Sequence, residues 1–166
     1  TSAICGPADP ILLPRGSLKT DWEVELAVVI GKKAKYVNLD EAMSYVAGYA
    51  ASNDISERTY QLESTGQWTK GKSCDSFGPL GPWLVTKDEI QDPQNLSMWL
   101  SVNGKKMQDG STKTMVYGGC VSCSLYKPIY EFDARRYNLN WYPTRSWSWY
   151  DTTGLFESWG CCDFGN

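Results

Sequence analysis

The chain has 166 residues, 19 acidic and 16 basic side chains and a formal net charge of -3, which suits one domain with a real core. The mildly negative charge and the lack of a long basic run argue against nucleic-acid binding, and the absence of His excludes His-based triads and His-ligated zinc within this chain. We find no apolar run long enough to span a membrane and no signal-peptide pattern, and the cysteine usage favours a reducing, cytoplasmic compartment.

Residues 21–30 predict a β-strand, because they are rich in β-branched and aromatic residues and are followed by Gly31. Side chains alternate across a strand, so one face is expected to hold Trp22, Val24, Leu26, Val28 and Ile30. Glu23 and Glu25 then share the other face. Two carboxylates at this spacing indicate either a hard divalent cation between them or a half-exposed strand with Glu on its wet side.

The next segment predicts a short helix and a buried strand. Asn38 is a candidate N-cap with Glu41 as its capping-box partner, and the helix is expected to run to about Val46. Residues 47–51 are small and apolar, which indicates a buried strand. That strand would place Asp54 just beyond its far end.

Residues 55–80 are polar and Gly-rich, and we expect them to form a long irregular segment. Such a segment inside a compact domain is usually functional or disordered. Its aromatic residues Trp68 and Phe77, with Trp83 after it, favour an ordered active-site loop.

A β-hairpin is predicted between residues 96 and 108. A strand over 96–102 is followed by Asn103-Gly104, the strongest short hairpin signal in a sequence. The return strand is expected over 105–108.

Residues 119–166 differ in character from the rest. They contain four of the eight Trp and four of the six Cys, without helical or strand periodicity. The pairs Cys120/Cys123 and Cys161/Cys162 could form a four-thiolate zinc site, but the second pair lacks the usual two-residue spacer. A Trp-rich binding tail is a further alternative.

Five segments of the chain form a specific combination: 21–26 (DWEVEL), 52–58 (SNDISER) with Gln61, 70–73 (KGKS), 79–83 (PLGPW) and 102–104 (VNG). By these segments, residues 1–118 resemble the fumarylacetoacetate hydrolase family, specifically its catalytic C-terminal-type domain. Within the family, the chain looks similar to 2-hydroxyhepta-2,4-diene-1,7-dioate isomerases, ureidoglycolate lyases and diketo-deoxy-sugar-acid hydrolases. The resemblance implies a mainly β (α+β) fold, a mixed β-sandwich roll with few short helices, here incomplete at its C-terminal end.

The resemblance also implies a metal site and a class of reaction. Carried over by motif, Glu23, Glu25 and Asp54 would bind Mg²⁺, or Mn²⁺ or Ca²⁺, because hard ions favour oxygen ligands. The substrate would be a 2-oxo or 1,3-dicarbonyl acid. C–C bond hydrolysis, isomerisation or decarboxylation would proceed through a metal-stabilised enolate.

Three further residues match active-site positions of the family. Lys72 would stabilise the developing oxyanion, or transfer a proton if its pKa is lowered. Arg58 and Gln61 match positions near the metal and the substrate. Alone, Lys72 would be interpreted as a solvated lysine, and residues 71–73 lack the upstream Gly of a phosphate-binding loop.

The chain departs from the family pattern at both ends. Because residue 1 is Thr, we expect a fragment or a processed product, without the lid segment bearing a His and Glu pair that usually precedes this position in the family. The family's C-terminal Gly-Thr-Pro-rich loop is also missing from residues 119–166.

We hypothesise that residues from about 119 onward are a frameshifted translation, and therefore poorly ordered. Trp has one codon, TGG, so reading one base later gives Gly at every Trp. Residues 141–149 then permit Gly-Thr-Pro-Pro-Gly-Val-Gly-Leu-Gly, which is the missing loop. The nucleotide sequence across Gly118 would decide this.

Two functions of different classes follow. The first is a metal-dependent enzyme of this family, expected to be a homodimer when intact, with weak or no turnover by this chain. The second is a catalytically silent fragment that only binds a metal ion or a partner subunit.

Overall fold

The computed structural model describes residues 2–118 and 138–139. These residues contain ten strands and four short helical segments. The strands are β1 (Ile4–Cys5), β2 (Thr20–Asp21), β3 (Val24–Ile30), β4 (Val46–Asn53), β5 (Ser56–Glu57), β6 (Gly78–Pro79), β7 (Val85–Thr86), β8 (Ser97–Val102), β9 (Lys105–Ser111) and β10 (Asn138–Leu139). The helical segments are a 3₁₀ turn (Ala42–Tyr45), a π-helix (Thr59–Ser64), the α-helix α1 (Trp68–Lys72) and a 3₁₀ turn (Thr112–Thr114). This mainly β composition with few short helices confirms the predicted fold class.

The central element is an antiparallel sheet in the order β10-β3-β4-β7. β3 and β4 form its long pair, with Val24 opposite Asn53 and Val29 opposite Gly48. β7 approaches β4 closely because Gly48 has no side chain. A Cβ at that position would lie 2.2 Å from the carbonyl oxygen of Val85.

Three smaller strand pairs surround this sheet. β8 and β9 form an antiparallel hairpin, β2 pairs antiparallel with β5, and β1 pairs parallel with β6. The hairpin turn lies at Asn103 and Gly104, both with positive φ (50° and 75°), as predicted. β9 continues to Ser111, three residues beyond the predicted end.

The hydrophobic core lies between the sheet and the hairpin. Alternate residues of β3, namely Val24, Leu26 and Ile30, enter it together with Met98 and Leu100 of β8. Trp22 and Val28 are partly buried against the same cluster. The predicted apolar face of residues 21–30 is therefore correct, and Glu23 and Glu25 project from the opposite side of the strand.

The predicted single strand over 21–30 is divided into β2 and β3. The interruption falls at Trp22 and Glu23, whose backbone N–H groups donate to side chains. The Trp22 N–H donates to Asp21 Oδ1 (2.9 Å), and the Glu23 N–H donates to Asn53 Oδ1 (3.0 Å).

The helix predicted after Asn38 is wrong in length and type. Only a 3₁₀ turn forms over Ala42–Tyr45, and its N-terminus has no side-chain cap. The N–H of Glu41 donates to the Asn38 carbonyl and that of Ala42 to the Leu39 carbonyl, which makes turns. Val46 is already part of β4, where it pairs with Ile30.

The segment 55–80 is more regular than predicted, since it contains β5, the π-helix, α1 and β6. Phe77 is fully buried, whereas Trp68 and Trp83 are exposed. Within the described part of the chain, no helix has the length and apolar character needed to cross a bilayer.

Predictions made for residues 119–166, including the frameshift and the zinc alternative, lie outside the described residues, apart from β10. Asn138 and Leu139 pair antiparallel with Val28 and Ala27. Among the described residues, both cysteines, Cys5 and Cys74, are free thiols.

Candidate functional site

Three carboxylates meet where β3 begins and β4 ends. Glu23 immediately precedes β3, Glu25 lies within it, and Asp54 directly follows β4. The Asp54 N–H donates to the Glu23 carbonyl (2.8 Å), which fixes the two residues side by side. Oxygen atoms of Glu23, Glu25 and Asp54 lie within 4.8 Å of one another.

Arg58 follows β5 and holds the acidic side chains on one side of the site. Its Nε and Nη2 donate to Asp21 Oδ2 at 3.0 and 2.7 Å, and Nη2 also donates to Glu23 Oε1. Its Nη1 donates to Gln61 Oε1 (2.8 Å). Arg58 is 4% exposed, so these charge-assisted bonds form largely out of water.

Lys72, the last residue of α1, contacts two of the three carboxylates. Its Nζ donates to Glu23 Oε2 (2.7 Å), Asp54 Oδ2 (2.5 Å) and Ser56 Oγ (2.9 Å). Burial lowers the pKa of Lys72, but the charges of Asp54 and Glu23 more than offset this, so its pKa lies above the usual range. Lys72 is therefore protonated at neutral pH and places a positive charge beside Glu23 and Asp54.

Gly71 allows α1 to pack closely enough for Lys72 to reach the carboxylates. A Cβ at Gly71 would lie 2.6 Å from both Gln61 Cβ and the carbonyl oxygen of Glu57. The helix therefore rests directly on the π-helix.

Glu57 anchors the loop that precedes β2. Its side chain is fully buried, and Oε1 accepts hydrogen bonds from the N–H groups of Leu18 (3.3 Å) and Lys19 (2.8 Å). Its Oε2 accepts from the Tyr60 N–H (2.8 Å). Together with the β2–β5 pairing, these bonds keep Asp21 beside Arg58.

The charges of the site fit a hard divalent cation. Among the described residues, four carboxylates, those of Asp21, Glu23, Glu25 and Asp54, lie with two cations, Arg58 and Lys72, so these six groups in their ionised forms carry two excess negative charges. Burial raises the pKa of Asp54, although Lys72 opposes this shift, and burial likewise raises the pKa of Asp21 against the opposing effect of Arg58. A divalent ion held by oxygen ligands would neutralise the excess charge.

The structure brings together all six residues named from the sequence. Glu23, Glu25 and Asp54 form the carboxylate group, Lys72 and Arg58 contact it, and Gln61 contacts Arg58. Sequence reasoning assigned no role to Asp21, Ser56 and Glu57. The period of two along a strand could have indicated two of them, because Asp21 precedes Glu23 by two residues and Ser56 follows Asp54 by two.

Comparison with known proteins confirms the resemblance to this family. The family model described as "Fumarylacetoacetate (FAA) hydrolase C-terminal" matches residues 1–119. A Burkholderia cenocepacia protein named "putative hydrolase" is 60% identical over 117 residues, which are 70% of this chain and 42% of that protein. The chain thus spans about two-fifths of the length of the curated relatives it matches.

Solved structures share the fold. A 5-carboxymethyl-2-hydroxymuconate delta-isomerase from Mycobacterium smegmatis is 34% identical with a TM-score of 0.75, over 80% of this chain and 51% of the other. For a 2-hydroxyhepta-2,4-diene-1,7-dioate isomerase from Mycobacterium marinum the values are 36%, 0.75, 80% and 51%. With the family match covering most of its length, the chain belongs to the fumarylacetoacetate hydrolase family, whose members are hydrolases and isomerases.

Proposed function

We propose that this chain provides the metal-binding site of a divalent-metal-dependent enzyme that acts on a 2-oxo or 1,3-dicarbonyl acid. The observation that supports the proposal most strongly is the group of three carboxylates within 4.8 Å, flanked by Lys72 and Arg58. Oxygen-only ligands with a net negative charge suit Mg²⁺, and also Mn²⁺ or Ca²⁺.

The proposed residues divide into those that hold the ion and those that surround it. Glu23, Glu25 and Asp54 would hold the metal, which when bound supplies Lewis-acid polarisation of a carbonyl oxygen. Arg58 orients Glu23. The Lys72 ammonium would stabilise the negative charge that develops on the substrate oxygen, as preorganised cations do in buried sites.

The reaction would be C–C bond hydrolysis, isomerisation or decarboxylation. We further propose Mg²⁺ as the usual ion, a homodimeric assembly and a cytoplasmic location. These three proposals come from the family resemblance. The names of two solved relatives, isomerases of 5-carboxymethyl-2-hydroxymuconate and of 2-hydroxyhepta-2,4-diene-1,7-dioate, support the proposed substrate class, because a 2-hydroxy-2-enoate is the enol form of a 2-oxo acid.

Turnover of an acylpyruvate by the purified chain tests this function. We expect weak turnover with Mn²⁺ or Mg²⁺ and none after EDTA treatment, measured by the absorbance of the enol form. The Lys72→Met variant should bind Mn²⁺ but lose turnover. Lys70→Met, an exposed position on the same helix, should behave as the wild type.

Turnover that persists in EDTA, or that is equal in Lys72→Met and the wild type, would contradict the proposal. If the chain binds Mn²⁺ but neither binds nor turns over oxaloacetate or an acylpyruvate, the second function, a silent metal-binding fragment, is favoured.

A further inference from the structure

The side chain of Gln108, on β9, contacts the backbone of β3 at Val24. The Val24 N–H donates to Gln108 Oε1 (2.8 Å), and Gln108 Nε2 donates to the Val24 carbonyl (3.2 Å). The two residues are 84 positions apart in the sequence. Val24 is the residue between Glu23 and Glu25, so this contact holds the backbone that joins two of the three carboxylates.

The geometry of β3 explains why Val24 needs such a partner. The Asp54 N–H bonds to the Glu23 carbonyl, so the backbone of Glu23 faces β4. Backbone groups of successive residues in an antiparallel strand point to opposite edges, so the N–H and C=O of Val24 face away from β4. On that outer edge, the described strand β10 pairs only at Val28 and Ala27.

At Val24 the carboxamide of Gln108 makes the two hydrogen bonds that a neighbouring strand would make. It offers one acceptor and one donor to Val24, as a neighbouring peptide group would. Val24 is fully buried, so without Gln108 its N–H and C=O would lose these two bonds away from water.

We propose that Gln108 is a positioning residue that fixes the backbone between Glu23 and Glu25, so that both carboxylates point at one ion. This inference rests on the proposed metal site. Groups that orient metal ligands without touching the ion typically change metal affinity by 10- to 100-fold when they are removed. Gln108 acts in this way through the strand backbone.

Two measurements on Gln108→Met test the proposal. Amide hydrogen exchange of the metal-free protein by NMR should show exchange at Val24 at least about tenfold faster, with Ala27, which pairs with Ala50 on β4, unchanged. Mn²⁺ affinity by calorimetry should fall about tenfold. Gln94→Met is the matched control, because Gln94 donates to Thr112 and not to β3.

The outcomes separate this inference from the proposed function. The positioning role of Gln108 would be overturned if Gln108→Met left either Val24 exchange or Mn²⁺ affinity unchanged. It would also be overturned if exchange at Val24 and at Ala27 became faster by the same factor, because that result indicates a general loss of structure. If Gln108→Met does not fold, Gln108→Asn, whose carboxamide is one methylene too short to reach the Val24 backbone, is held to the same expectations. If the wild type binds no Mn²⁺, the metal site fails, while Val24 exchange still decides whether Gln108 holds the strand.

Discussion

At the scale of single residues, Asp21 is the side chain whose importance the sequence least revealed. It accepts two hydrogen bonds from Arg58 and so fixes the guanidinium that contacts Glu23 and Gln61. Strand alternation predicted that Glu23 and Glu25 lie together. It could not predict that Arg58 would reach Asp21, because that contact depends on the pairing of β2 with β5.

We expect Asp21→Asn to lower the free energy of unfolding by about 2 kcal/mol, because the buried Arg58 loses a charged partner. Urea denaturation provides the measurement. Asp109→Asn removes an exposed partner of Lys106 and should change stability by less than about 0.5 kcal/mol. Equal losses of unfolding free energy in the two variants would contradict the prediction that the Asp21–Arg58 pair stabilises the protein more than an exposed ion pair does.

The period of a β-strand and the family resemblance predicted different residues of the site. Glu23 and Glu25 followed from the period of a strand. Strand prediction placed Asp54 beyond the end of residues 47–51, but only the family motif named it as a ligand. Arg58, Gln61 and Lys72 were named only through motifs of the family, since nothing in local sequence indicates which polar residues of the segment 55–80 converge. Gln108 was missed entirely, because a side chain that pairs with a distant backbone leaves no periodic signal.

At the scale of elements, the close packing of α1 on the π-helix determines where Lys72 lies. This contact depends on Gly71, which stands where a Cβ would overlap Gln61 and Glu57. A five-residue helix with two lysines and a glycine gives no apolar pattern, which is why the sequence predicted an irregular loop here.

We expect Gly71→Ala to destabilise the protein by about 1–3 kcal/mol through overpacking, although Ala is the better helix former. The substitution should also move Lys72 away from Glu23 and Asp54. Thr69→Ala, at an exposed position of the same helix, should leave thermal stability nearly unchanged or slightly raised. A Gly71→Ala variant as stable as Thr69→Ala would mean that α1 does not rest on the π-helix as described.

The 3₁₀ turn after Asn38 shows the opposite case, in which tertiary pairing overrides a local signal. Asn38 and Glu41 have the spacing of a capping box, but Val46 pairs with Ile30 at the start of β4. Extended pairing draws Val46, the last residue of the predicted helix, into β4. The hairpin at Asn103-Gly104 was predicted correctly because its turn needs two residues with positive φ, a local requirement that Asn and Gly satisfy.

At the scale of the whole molecule, the proposed metal ligands are brought together by the fold. Glu23 and Glu25 come from β3 and its approach, Asp54 follows β4, and Gln108 supports β3 from the hairpin. An ion bound by all three carboxylates binds only the folded state, so it should stabilise the molecule as a whole.

The most direct test of the proposed metal site is therefore Mn²⁺ binding by the purified chain, measured by calorimetry and by thermal unfolding. We expect one Mn²⁺ per chain and a rise in unfolding temperature that increases with Mn²⁺ concentration. Both effects should be lost in Glu25→Gln and kept in Glu63→Gln, which removes an exposed carboxylate paired with Lys19. A wild type that binds no Mn²⁺, or a Glu25→Gln variant that binds it as the wild type does, would contradict the proposed site.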